Sequence, residues 1–517
     1  MEKPVRRIVI VGGGSAGWIT AGTLAAKHRS DHPDRLSITL VESPNIPIIG
    51  VGEGTWPTMR TTLRRMGISE TDFIRSCSAT FKQGAQFARW VTGKPDDSYY
   101  HPLMLPQGFL DGNLAPHWLE ETQGLSFSAA VSPQDHVCDR SLAPKQITTP
   151  EYAGVLNYAY HLDAGRFADF VRDHCVSQLG VNHVLADVTG LEAAENGDIA
   201  AIETEQAGRI EGDLFVDCTG FKSLLLGEHY GVPFKSCKDV LFIDTALAVH
   251  TPYHTETDPI ASHTISTGQS AGWIWDIGLS TRRGVGHVYS SAHNDEDTAA
   301  RELDAYLQQS GHSLDALSYR KININPGHRE RFWHRNVVAI GLSAGFLEPL
   351  EASALVLIEL SSLMLAEQMP TTRGAMDIVA KRFNAKFRYR WDRIIDFLKL
   401  HYVLSQREED AFWRDNKDPD TVPESLNELL TLWKDQPPWH DDFDHKDEVF
   451  PAASYQYVLY GMGFQTRASH LNASSDAKAF AQQQFAERRK VTDQMLAHLP
   501  DHRALIEKIK VHGMQQI

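Results

Sequence analysis

Four groups of residues in this chain are typed and spaced for chemistry. Gly12-Gly13-Gly14-Ser15-Ala16-Gly17 follows the apolar run RRIVIV and opens a helical pattern, and Glu42 ends the next apolar run 25 residues after Gly17. Gly12 permits a tight turn, Gly14 lets backbone approach a pyrophosphate, and Gly17 lets helix and strand pack closely. The helix N-terminus then faces phosphate charge, and Glu42 can accept from a ribose hydroxyl. This is a dinucleotide-binding pattern that does not by itself separate FAD from NAD; the alternative is a glycine-rich turn that binds nothing. Lys82 lies in TFKQGAQF, residues 80–87, where Phe81, Gln83, Ala85 and Phe87 alternate with Lys82, Gly84 and Gln86 as in one strand. A strand lysine usually meets water or blunts a sheet edge, yet its same-face neighbour Gly84 suggests a close approach to the backbone. GWIWDIG (272–278) puts Trp273 and Trp275 on one strand face, as core packing or as a functional device. Glu351 falls in the first turn of a helix expected to begin near Pro349, followed by Ser353 and Ala354. It either complements the helix dipole or belongs to a small-anion site at free backbone N–H groups. His101 in YYHPL reads, by itself, as a satisfied structural histidine.

The elements that must position these groups follow from periodicity. Residues 6–42 read strand, glycine turn, helix, strand, a β-α-β unit. HLDAGRFADFVRDHCVSQLG, near 161–180, is a helix stopped by glycine. Strand-like segments recur at HVLADV, LFVDCTG, ALAVH, GVGHVYSS and VVAIG. From about residue 355 the pattern is helical, with the longest runs at 355–369 and 375–405; residues 415–450 read as loops around one short helix. LFVDCTGFKSLL (214–225) and VVAIGLSAGFLEPLEASALVLIEL (337–360) each run a buried strand into a glycine, Gly220 and Gly341. Together the elements describe an α/β body with an appended helical part.

Composition narrows the classes. The chain has 517 residues, 42% hydrophobic and 22% charged, as in a globular protein of two or three packed modules. A formal net charge of −16 argues against nucleic acid or an anionic membrane as the main partner. No apolar run approaches the ~20 residues of a membrane helix, and RRIVIVGGG reads as a first strand and not a leader. The five cysteines are scattered without a CxxC pair, the usage of reduced, buried thiols in a cytoplasmic protein with no metal site.

Three strand-to-glycine junctions resemble those of FAD enzymes related to the aromatic hydroxylases, although Leu342 stands where those enzymes carry an aspartate. The ordered segments GGGSAGW, GVGEGTWP (50–57), CSATFKQGAQFARW (77–90), YAYHLDAGRFADF (158–170), LFVDCTGFKSLL, GWIWDIG and AIGLSAGFLEPLEASAL are more specific. They resemble the flavin-dependent tryptophan halogenase family from about residue 6 to beyond 460, where VLYGMGF also fits.

That resemblance implies an α/β fold with a Rossmann-like, FAD-binding body related to the aromatic hydroxylases, an additional β-sheet and a C-terminal helical part. The body would span residues 1–365, with substrate-sheet segments at about 85–160 and 235–335, and a mainly helical substrate-covering part 366–517. Reduced FAD from a separate flavin reductase would use dioxygen to oxidise a bound halide, chloride or bromide, to hypohalous acid. Lys82 matches the family lysine that holds or activates the halogen beside an electron-rich arene, either as an ammonium hydrogen-bonding hypohalous acid or as an amine forming a haloamine. Glu351 matches the essential glutamate, which orients the electrophile or takes the ring proton. The resemblance assigns FAD contacts to Gly12, Gly14, Ser15, Ala16, Gly17, Ser43, Ile49, Val51, Gly54, Leu342 and Leu355, beside the Glu42 contact expected from the β-α-β spacing. It assigns halide contacts to Ser353 and Ala354, where Thr and Gly are usual; the added Cβ at Ala354 shifts the amide geometry, and a bromide preference is one reading of that change. Trp273 and Trp275 match WxWxIP, which keeps substrate from the flavin, with Gly278 replacing the proline as a local loosening. His101 and Tyr455 fall in the substrate pocket, but Leu103 replaces a common aromatic and 440–452 shows no clear amino-acid-recognition loop. The expected substrate is therefore indole-type or otherwise electron-rich, with free tryptophan less well accounted for. Expected partners are that arene and the reductase, with a homodimer as an allowed assembly and neither nucleic acid nor membrane. The competing classes are a flavin-dependent aromatic monooxygenase, told apart by an oxygenated product, and a non-catalytic flavin or ligand sensor, against which both Lys82 and Glu351 argue.

Overall fold

Ile8, Val9, Ile10 and Val11 are all buried in the strand Arg7–Val11, and burial on both faces is what a continuous apolar run gives in a parallel sheet. The computed structural model describes residues 4–32, 35–46, 52–122, 124–311, 317–467 and 474–516. Arg7–Val11 pairs in parallel with Ser37–Glu42 on one side and with Leu214–Asp217 on the other. Asn182–Leu185 continues the sheet past Ser37–Glu42, and Val337–Ala339 continues it past Leu214–Asp217, with Trp333–His334 as an antiparallel edge. Parallel neighbours need crossovers, commonly helical. The helix Ser15–Lys27 follows the first strand and packs against Ala164–Gln178 and Ser353–Glu367. Asp163 caps Ala164–Gln178 by accepting from Arg166 N (3.1 Å), and Gly180 follows in a left-handed conformation.

The chain folds as two compact units, each assembled from three stretches. The sheet just described belongs to Met1–Ala79, Leu162–Cys237 and Asn325–Trp391; the other unit comprises Thr80–His161, Lys238–Ile324 and Asp392–Ile517. The second unit is built on a seven-stranded sheet in the order Arg320–Asn323, Thr245–Pro252, Arg282–Tyr289, Gly272–Gly278, Thr264–Gly268, Gly84–Ala88, Ser98–Pro102. Its pairings are antiparallel except between Thr264–Gly268 and Gly84–Ala88. The helix Glu296–Gln309 covers one face, where Ala299, Leu303 and Leu307 at helical spacing meet Leu247, Val249, Ile274 and Val285. The C-terminal region is helical, with Ala452–Gly461, Ser475–His498 and His502–His512 following the long helix Arg373–Val403. Within 415–450 the one α-helix is Glu424–Trp433. Among the described residues no helix is long and apolar enough to cross a membrane, and all five cysteines are buried.

The segment expected as a single strand over 80–87 is two. Thr80–Lys82 pairs with Ala159–Leu162, and Gly84–Ala88 pairs with Ser98–Pro102. Gln83 separates them because its backbone serves other segments: its N–H donates to Ser262 O (2.7 Å) and its carbonyl accepts from Leu103 N (3.0 Å). The glycine beside Lys82 is explained by its neighbour strand, since a Cβ on Gly84 would lie 2.8 Å from the His101 carbonyl oxygen.

Glu359 on the helix Ser353–Glu367 is buried, and the hydroxyls of Thr58 (3.2 Å) and Thr62 (2.5 Å) donate to its carboxyl. Burial pushes this carboxyl up from 4.5 to about 8. The unfolded chain releases the proton near 4.5 and the folded one near 8, so stability present below the first value is lost progressively up to the second. Glu359→Gln removes that titration while keeping an acceptor oxygen. Its thermal melting temperature should exceed that of the wild type by a margin that widens from pH 5 to pH 8. A constant margin would contradict the assignment.

Candidate active site

The glycine motif forms a cradle in which two positions are filled by backbone and one is left open. Gly12 is left-handed at φ +112°, and a Cβ there would lie 2.2 Å from Cys218 O. On Gly17 a Cβ would meet Gly12 O at 1.9 Å, whereas one on Gly14 would meet nothing within 4 Å. No side chain caps the helix Ser15–Lys27, so the first-turn amides at Ser15, Ala16 and Gly17 are available for a phosphate placed before Gly14. These residues fit a dinucleotide. Gly341 joins the cradle from the third strand-to-glycine junction: it is left-handed at φ +78°, and a Cβ there would lie 2.6 Å from Ala16 Cβ. Glu42 lies against Gly13 and bonds His183 Nε2 through Oε2 (3.0 Å). The Ser43 hydroxyl donates to Asp187 Oδ1 (2.5 Å), which holds that half-buried carboxylate below its usual range. Asp187 and His183, which sequence reasoning missed, thus orient the two residues at the strand end, and nothing in their spacing announces it. Gly54 is buried in the short strand Glu53–Gly54, where burial pushes the Glu53 carboxyl up to about 7. Ile49 and Val51 lie outside the described residues.

The turn of the second junction has a structural role. Asp217, fully buried, accepts from Thr219 N (3.1 Å), Thr219 Oγ1 (2.6 Å), Leu225 N (2.9 Å) and Leu226 N (2.8 Å). Such charge-assisted bonds close the chain over the strand end.

Glu351 is not in the first turn of an α-helix, as its sequence placement suggested. Leu350–Ala352 is a short 3-10 turn, and the α-helix begins only at Ser353. Glu351 (φ +62°) and Ala352 (φ +56°) are both left-handed, a conformation disfavoured for residues with a Cβ and costing about 1–3 kcal/mol each. Strain of this kind persists only where the surroundings hold it. Trp56 supplies one restraint by donating its indole N–H to the Glu351 carbonyl (2.8 Å), which joins GVGEGTWP to FLEPLEASAL. Glu351 itself is 8% exposed. Beyond the turn, Leu342, Ser353 and Ala354 line one cavity of about 40 Å³, walled by Phe346, Leu357 and Ile358. That is room for a small ion or a few waters, not for an aromatic ring. No side chain caps the helix Ser353–Glu367, which leaves its first amides for such an occupant, and Leu355 is buried one turn in.

In the other unit Lys82 is 3% exposed. Thr80 Oγ1 donates to Gly278 O (2.6 Å), tying the lysine strand to the last residue of the tryptophan strand. Gly278 is therefore no loosening: it pairs with Arg283, and a Cβ there would press on Ile260 Cγ2 at 3.0 Å. Trp273 and Trp275 are buried. Trp273 packs on Trp90 at 6.1 Å, and Trp275 covers Gly286, where a Cβ would lie 2.2 Å from its ring. His101, buried opposite Ala85, bonds Ser454 Oγ through Nε2 (2.9 Å). Phe397 links it to Tyr455, with ring centroids 5.8 Å from His101 and 4.8 Å from Tyr455; Phe443 and Trp433 complete the box. The periodicity of 375–405 reveals a helix but not that Phe397 joins two candidate substrate residues.

Because Trp56 restrains the strained turn, Trp56→Phe should lower the stability of the folded chain by about 1 kcal/mol through the lost hydrogen bond, measured by chemical denaturation. An unchanged stability would show that the turn is held without it.

The profile of the tryptophan halogenase family matches residues 7–477. A 7-chloro-L-tryptophan 6-halogenase of a Kutzneria species is 32% identical over 97% of this chain and 99% of its own length. The tryptophan 7-halogenase of Lentzea aerocolonigenes is 31% identical over 90% of each chain. Among solved structures, a tryptophan halogenase from Shewanella frigidimarina superposes with a TM-score of 0.97 at 48% identity, covering 100% of both chains. A flavin-dependent halogenase from a Brevundimonas species does so at 0.85 and 33%, covering 98% of this chain and 99% of its own. By this profile match over nearly its whole length and by these relatives, the chain belongs to the tryptophan halogenase family.

Proposed function

We propose that this protein halogenates an electron-rich, indole-type arene with FAD reduced by a separate flavin reductase, through Lys82 and Glu351. The observation that carries the reading is the burial of an amine, Lys82, on a short strand bonded to the tryptophan strand through Thr80 and Gly278. FAD held at Gly12–Gly17, Glu42 and Ser43 would supply oxidation of a halide by dioxygen to hypohalous acid. The cavity lined by Leu342, Ser353 and Ala354 lies at the uncapped start of the helix Ser353–Glu367 and would hold the halide there.

Lys82 then holds hypohalous acid beside the arene by hydrogen bond or as a haloamine. The arene C–halogen bond forms as the halogen's bond to oxygen or nitrogen breaks. The ring proton passes to Glu351, directly or through water. The leaving group is hydroxide, protonated to water, when hypohalous acid is the donor; it is the lysine amine when the donor is the haloamine, whose formation has already released that oxygen as water. The left-handed turn at Glu351 and Ala352 fixes where that carboxylate can reach. Trp273 and Trp275 wall off the arene, and His101, Phe397 and Tyr455 provide aromatic surface for it. Several relatives are named for tryptophan; the acid-rich segment 440–448 of this chain offers little to a substrate carboxylate and favours indole over the free amino acid. The need for a reductase and reduced flavin fits a cytoplasmic setting.

Incubation with a flavin reductase, NADH, dioxygen and indole or tryptophan, with bromide and chloride in parallel, should give a halogenated indole by mass spectrometry. An oxygenated product with no halogenated one would replace this reading with a monooxygenase. Lys82→Ala should reduce halogenation by at least ~100-fold, within the range expected for loss of an essential transition-state group, while flavin reoxidation continues. Retained halogenation would remove Lys82 from the chemistry.

A further inference from the structure

The backbone on both sides of Lys82 is attached to one segment, by two different means. On the Gln83 side the attachment is direct: Gln83 N–H donates to Ser262 O (2.7 Å). On the Phe81 side an imidazole stands between the chains. Phe81 N–H donates to His502 Nε2 (3.0 Å), and His502 Nδ1 bonds Ile260 O (3.1 Å). A peptide N–H can only donate and a carbonyl can only accept, so Nε2 must be bare and Nδ1 must carry the proton. The bridge therefore exists in one tautomer of the neutral ring. His502 is fully buried, and burial pushes it down to about 4, so the ring stays neutral at ordinary pH.

His502 opens the helix His502–His512, which Asp501 caps by accepting from Ala504 N (2.9 Å). The adjacent Arg503 donates to Asp258 O and to Ser280 O (3.4 Å). The first turn of this last helix thus holds the segment 258–262 and the lysine strand together. The sequence separation between Phe81 and His502 is 421 residues, and none of the quoted motifs includes the histidine.

We propose that His502 is a positioning residue for Lys82, its neutral imidazole setting the lysine strand so that the amine captures the oxidised halogen before it escapes. This rests on the reading of Lys82 as the halogen-handling group. The bridge governs coupling: without it the strand keeps its ladder and the Thr80 bond but loses the tie from Phe81 to the segment 258–262, and more hypohalous acid leaves unused.

The test uses the full-length enzyme with reductase, NADH, bromide and indole, comparing wild type, His502→Ala, His502→Gln and Lys82→Ala. Three quantities are read: bromoindole per flavin reoxidised, free hypobromous acid trapped by a β-diketone, and hydrogen exchange at the Phe81 amide. In His502→Ala, Phe81 exchange should accelerate ~10-fold, as for loss of one buried hydrogen bond, with exchange in Arg7–Val11 unchanged. Bromoindole per flavin should fall with a matching rise in trapped hypobromous acid, while KM for indole and flavin reoxidation stay near wild type. His502→Gln, whose side-chain oxygen can accept from Phe81 N–H, should recover part of the coupling. Unchanged coupling in His502→Ala, or parallel loss of reoxidation, product and trapped oxidant with a lowered melting temperature, would overturn the proposal. Unchanged Phe81 exchange would overturn it irrespective of activity. Bromination retained by Lys82→Ala would instead refute the reading of Lys82, with the exchange result still deciding whether His502 holds the strand.

Discussion

The burial of one amine sets the terms for the second unit. Removing a lysine head group from water is costly unless polar partners and fixed geometry compensate, and Lys82 is 3% exposed. The chain meets this with a fully buried strand only three residues long, Thr80–Lys82, tied to several neighbouring segments. It pairs with Ala159–Leu162, reaches the tryptophan strand through Thr80 Oγ1, and is flanked by the bonds of Phe81 and Gln83. The short length is part of the arrangement, because Gln83 leaves the ladder to bond Ser262 and Leu103.

Neutral, buried histidines are the second component. His161 lies on the strand paired with the lysine strand, and its Nε2 bonds Thr264 Oγ1 (2.8 Å). Burial first, then the charge of Lys82, pushes it well below its ordinary value. His263 and His502 are likewise held down, each to about 4, chiefly by burial. Unfolding would let these rings bind protons below their ordinary 6.5, so they draw stability away as pH falls from there toward 4. The region around Lys82 is polar without adding cations to it at neutral pH.

The other unit concentrates strain instead of charge. Glu351 and Ala352 hold consecutive left-handed conformations that a free chain would avoid, and Trp56 and the start of a fifteen-residue helix hold them in place. The glycines nearby serve close approach: Gly12, Gly17 and Gly341 each stand where a Cβ would collide with a neighbouring element. Leu342, Ser353 and Ala354 all line a single small cavity, so a change of residue type at any of them acts on one site.

Local chemistry made much of this legible from sequence. The apolar runs with terminal glycines predicted the parallel strands and their tight turns, because burial on both faces and positive φ restrict residue type wherever they occur. Helical periodicity likewise located 161–180 and the long C-terminal runs. The ordered motifs carried the family, since each is a contiguous stretch whose spacing survives in one chain. What tertiary structure decided are the relations that have no sequence spacing. Glu351 stands in a left-handed turn ahead of the helix, its carbonyl bonded by Trp56, 295 residues away; the lysine strand stops where Ser262 and Leu103 claim Gln83. Phe397 joins His101 to Tyr455, and His502 reaches Phe81 from the last helix. A hydrogen bond specifies the distance between two groups and is indifferent to the length of chain between them, so these partners could be read only once the fold had brought them together.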